Sequence, residues 1–67
     1  MRINRDRIKL AMAEQGINTF SELADRMGCS RQNISAIMTR GSCSIANLAR
    51  LAHSLGLQPK DIAIMED

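Results

Sequence analysis

The sequence predicts an all-α fold, a compact bundle of five short helices, and three observations predict it. Apolar residues recur at three- and four-residue spacing, the period of a helix with one buried face. The segments so marked begin after Ser, Thr or Asn and stop at Gly, the residue types that favour helix starts and ends. Hydrophobic residues make up 45% of the 67 positions, enough for a core rather than a disordered chain. Strand-like alternation is absent.

The first helix begins at Asn4 or a neighbour, and Ile8, Ala11, Met12 and Gln15 follow helical spacing until Gly16. Thr19-Phe20-Ser21-Glu22 has the spacing of a capping box, in which hydroxyl and carboxylate each satisfy a backbone donor at the start of the second helix. Phe20, Leu23, Ala24 and Met27 then line one side, and Gly28 closes that helix. Ser30 can accept from the exposed N–H groups of the third, which carries Ile34, Ile37 and Met38 as one apolar stripe and ends at Gly41. Ser44 caps the fourth, with Ile45, Leu48, Leu51, Ala52 and Leu55 expected inward and Gly56 as its stop. Pro59 suits the first position of a fifth, which runs through Ile62.

Only Cys29 and Ser30 separate Gly28 from the third helix. Two helices joined by so tight a Gly-containing turn cross at a steep angle, the geometry of a helix-turn-helix. Opposite the apolar stripe of the third helix lie Arg31, Gln32, Ser35, Ala36 and Thr39. That short row of donors, acceptors and small groups can enter a major groove.

Length and charge fit this expectation. Sixty-seven residues are read as one domain, 1–67, and a chain so short buries only about 60% of its unfolded surface, so its core is small. No apolar run approaches the roughly 18 residues of a membrane span and no signal-peptide pattern opens the chain, so a cytoplasmic protein with no membrane partner is expected. The net charge of +2 divides unevenly. Residues 1–25 carry four basic and four acidic groups, residues 26–60 carry Arg26, Arg31, Arg40, Arg50 and Lys60 with no acid, and residues 61–67 carry three acids. The acid-free window holds the third helix and the loop after it, the parts that would approach phosphates.

Cys29 and Cys43 stand one residue before the caps Ser30 and Ser44 and five before Ile34 and Leu48, the placing of hydrophobic staples. Leu57 and Ile62 have the same relation around Pro59. Two cysteines and the single His53 do not make a zinc site, so neither metal nor cofactor is expected. His53 is placed on the exposed side of the fourth helix.

Thr19-Phe20-Ser21-Glu22-Leu23-Ala24, then Gly28-Cys29-Ser30, Ile34-Ser35 and Gly41, resemble the helix-turn-helix of the Cro and phage-repressor (XRE-type) family of bacterial and phage transcription regulators. Leu48-Ala49-Arg50-Leu51-Ala52 and Leu55-Gly56-Leu57 carry the likeness through nearly the whole chain. The resemblance implies a five-helix, lambda-repressor-like DNA-binding domain. Many members hold an Arg in the first helix and a Glu in the reading helix as a buried ion pair; the matching positions here are Met12 and Met38. Replacing a whole buried pair with apolar groups can be neutral or stabilising, and Met12 is expected to pack on Met38. The family commonly has Gln, a phosphate contact, where this chain has Phe20, and the turn before it has one extra residue among Ile17, Asn18 and Thr19. Phe20 either packs inward beside Leu23 or stacks on Arg31.

Side-chain chemistry then assigns expected roles. Gln32 pairs with adenine, Arg31 reaches guanine or a phosphate, Ser35 donates or accepts, Ala36 meets a thymine methyl, and Thr39 stands near the helix end. Thr19, Asn33, Arg40, Ser42, Ser44 and Asn47 are the candidate phosphate contacts; for Arg40 a contact with its own helix's terminal carbonyls is the alternative. One such domain reads few base pairs, so a homodimer is expected on a palindromic double-stranded operator with half-sites about 34 Å apart, formed in solution or only on DNA. The resemblance places its contact around Leu57, Ile62, Ile64 and Met65, whose apolar surface exceeds one face of a short helix; burial in the chain's own core is the alternative.

Other function classes fit less well. Catalysis would need convergent acids, bases or nucleophiles, and the chain has one His, no Tyr and no Gly-rich phosphate loop. RNA recognition by stacking has only Phe20 to use. A protein-binding module on the same fold, such as an antitoxin or anti-repressor, is the competing expectation.

Overall fold

The computed structural model describes residues 1–64. Five helices form: α1 (Arg5–Glu14), α2 (Phe20–Met27), α3 (Arg31–Arg40), α4 (Ile45–Ser54) and α5 (Pro59–Ile62). Their starts are the expected ones. Asn4 accepts from the Arg7 N–H at 3.1 Å, Ser30 from Asn33 and Ser44 from Asn47, each at 3.2 Å. Gly28 and Gly41 take the left-handed conformation, φ 71 and 72, which a side chain would strain by about 1–2 kcal/mol.

The helices close around one core. Ile8, Leu23, Ile34, Leu51, Leu55 and Ile62 are its most deeply buried large side chains, drawn from every helix. Met12 and Met38 are both buried in it, and Phe20, Cys29, Cys43 and Leu57 pack against it from partly exposed positions. Phe20 thus turns inward, not onto Arg31. Residues Ile3 and Ile17, outside any helix, also belong to the core.

Four expectations need correction. The chain contains strand: β1 (Arg2–Ile3) and β2 (Ala63–Ile64) pair antiparallel, Arg2 opposite Ile64 and Ile3 opposite Ala63. Runs of two residues show no alternation, so nothing in the pattern announced them. Ile45 is 72% exposed, because at the first helical position its side chain leans back past the helix end, away from the core. Gln15 is exposed as well. Ile62 is fully buried by the chain's own core and has no surface to offer a second copy. Met65 lies outside the described residues.

β1 is flanked on its other edge by the loop after α3. The Ile3 N–H donates to the Gly41 carbonyl and the Cys43 N–H to the Met1 carbonyl, both at 2.9 Å, and Arg2 forms a bridge with Ser42. This ties down the segment that leads from α3 into α4.

Candidate nucleic-acid interface

α2 and α3 make up the helix-turn-helix, and the chain between them is short because each boundary residue has a job. Gly28 closes α2 with its N–H on the carbonyls of Ala24 and Asp25, and the Cys29 N–H also donates to the Ala24 carbonyl, at 3.0 Å. Ser30 then opens α3. Ile34, Ile37 and Met38 bury the inner face of α3, leaving its outer face for solvent.

On that outer face Arg31, Gln32 and Thr39 are exposed, while Ser35 and Ala36 are half-buried. Asn33 sits half-buried to one side. Among the described residues, the side chains of Arg31, Gln32, Ser35, Thr39 and Arg40 form no hydrogen bond or ion pair within the chain. Arg40 in particular does not turn back onto its own helix. Its role there is taken by Arg5 of α1, whose Nη1 donates to the Met38 carbonyl at 3.2 Å.

The same device ends α2. Arg50 of α4 donates through Nη2 to the Met27 carbonyl at 2.7 Å, and Arg26 reaches the Gln15 carbonyl at 3.4 Å. A guanidinium on terminal carbonyls matches the negative end of the helix dipole. Sequence reasoning missed these contacts, which join residues 11 to 33 positions apart. They also sort the cations of the acid-free stretch: Arg26 and Arg50 are engaged with backbone, whereas Arg31 and Arg40 point their charge outward.

Electrostatics at the helix starts follow a pattern. α1, α2 and α5 carry Asp6, Glu22 and Asp61 in their first turns; α3 and α4 carry no acid there. Their caps Ser30 and Ser44 are neutral and, having accepted a backbone N–H, keep a hydroxyl proton to donate. Positive dipole ends with unspent donors suit an anion. Asn47, whose N–H meets Ser44, and Ser42 are half-buried alongside.

The start of α2 is different. Thr19 Oγ1 accepts from the Glu22 N–H at 3.2 Å, but the return bond expected on Thr19 falls one residue earlier, Glu22 Oε2 accepting from the Asn18 N–H at 2.8 Å.

Residues 7–67 match the sequence profile of the Cro/C1-type HTH DNA-binding domain. The chain belongs to this family. Its members are DNA-binding domains of transcription regulation, and the helical fold described above is the one expected of a Cro/C1-type domain. Searches of curated proteins and of solved structures found no significant match.

The cysteines show no sign of chemistry. Cys29 and Cys43 are free and half-buried, and burial pushes the Cys43 thiol up, against an opposing pull from the amino group at Met1. Among the described residues no group of three His, Cys, Asp or Glu is placed to hold a metal ion. His53 is exposed on α4. No helix among them is long and apolar enough to cross a membrane.

Proposed function

We propose that this domain, residues 1–67, is a sequence-specific binder of double-stranded DNA that represses transcription by laying α3 in the major groove. One observation supports it most: the outward side chains of α3 have no partner within the described chain, although the helix beneath them is held at both ends. Gln32, Arg31, Ser35, Ala36 and Thr39 read base edges. Arg40, Ser42, Ser44, Asn47 and Asn33 hold the backbone; Thr19 contributes least, because Glu22 stands beside it.

On this reading two copies bind a palindromic operator and meet through Leu57, half-buried, and Ile64, 39% exposed, at the α5–β2 end. The protein works in the cytoplasm and catalyses nothing. Selection of bound duplexes from a random pool tests the proposal, followed by titration of the selected duplex against two variants. Gln32→Ala is expected to relax preference at one base position, and Arg40→Gln to weaken binding to every sequence. If neither variant alters binding to the selected duplex, α3 is not the reading element. Sedimentation with and without that duplex reports the dimer. Retention of a protein partner with no duplex selected would favour an antitoxin-like module instead.

A further inference from the structure

An open groove of about 760 Å³ runs along one edge of α3. Ser35 and Thr39 form one wall, and β1, α1 and the first residue of α2 form the other, bringing Arg2, Arg5 and Lys9 to face Arg40. Asp6 is the one acid among its lining residues. Arg5 spends one N–H on the Met38 carbonyl and keeps four donors. Lys9 and Arg40 are exposed.

We infer that this groove is a second phosphate track, in which Lys9, with Arg5, holds a DNA strand alongside α3. The inference rests on the proposed function and extends it to residues outside the helix-turn-helix. A helix with its side chains is about 10–12 Å across and the major groove about 12 Å wide, so an inserted helix lies against both sugar-phosphate walls. Arg40 and Gly41, at the end of α3, line the groove together with β1 and α1, so it opens along the reading helix. The groove reaches Phe20 at the start of α2, where Glu22 has taken a backbone donor. Lys9 and Arg5 of α1 supply the positive charge which that start lacks.

The N-terminal region therefore has two tasks. It pins the loop beyond α3 through backbone bonds, and it presents positive charge along the reading helix. The groove selects for the spacing of a duplex backbone rather than for any base, so its contribution is independent of sequence.

Lys9→Gln tests this by salt titration of binding to the selected duplex and to a scrambled duplex of the same length, with Lys60→Gln on α5 as the control cation and thermal melting as the folding check. The expected result is a slope of log affinity against log salt shallower by about 0.9 for Lys9→Gln on both duplexes, an unchanged slope for Lys60→Gln, and unchanged melting for both. An unchanged slope for Lys9→Gln overturns the track. If Gln32→Ala and Arg40→Gln still impair binding in that case, the proposed function survives without it. Equal losses for Lys9→Gln and Lys60→Gln also overturn it, since general net charge would then account for both.

Discussion

The two helices of the motif use the same kinds of start and stop for opposite ends. α2 opens on Thr19, which accepts from the Glu22 N–H, and folds the Glu22 carboxylate back onto the Asn18 N–H. α3 opens on a neutral Ser30 followed by Arg31 and leaves its first turn without an acid. Both bury three side chains and both end in a left-handed glycine whose helix carbonyls meet an arginine from another helix. α2 carries an acid at its start; α3 carries none and leaves its outer polar face exposed.

Changing the inner face of α3 is expected to have the largest effect. Met38→Glu places a lone charge where the family's ion pair would stand, at a cost of about 3–5 kcal/mol. In so small a domain that is a large share of the total stability, and the thermal transition is expected to fall or vanish. Met12→Arg with Met38→Glu is expected to recover part of the loss; no recovery would mean that the two methionines do not share one packing site.

The turn between the helices comes next. Gly28→Ala places a Cβ in open space, with nothing within 4 Å, so its cost is purely that of the left-handed backbone, about 1–2 kcal/mol. Chemical denaturation reads it directly. A loss well below 1 kcal/mol would show that the turn relaxes to another conformation.

The smallest effect sharpens the electrostatic contrast. Glu22→Gln removes the acid beside the start of α2 and is expected to tighten DNA binding a few-fold at low salt, an effect that fades as salt screens it. Weakened binding would mean that the carboxylate's positioning of the turn matters more than its repulsion of phosphate.

The sequence shows most clearly those features whose chemistry is local. Ser30, Ser44, Gly28 and Gly41 act on groups within a few residues, and each was identifiable from its neighbours. So was the outer face of α3, since helical spacing places Ile34, Ile37 and Met38 opposite it. The strand pair was hidden because it is two residues long, and the arginine caps because they join distant helices. Ile45 misled because periodicity does not mark where the core stops: it has the right phase but lies beyond the last layer. Ile62 misled for the converse reason, since apolar surface on a very short helix was all taken up by the chain itself.

β1 stands between residues 41–43 and β2, and this has a kinetic consequence. The bonds from residues 1–4 to Gly41, Cys43 and Ile62 join parts of the chain separated by more than half its length, whereas α2 and α3 meet across a three-residue turn. Closing a long loop costs entropy before any contact repays it. The motif is therefore expected to assemble early from neighbouring pieces, and the strand seam to lock later.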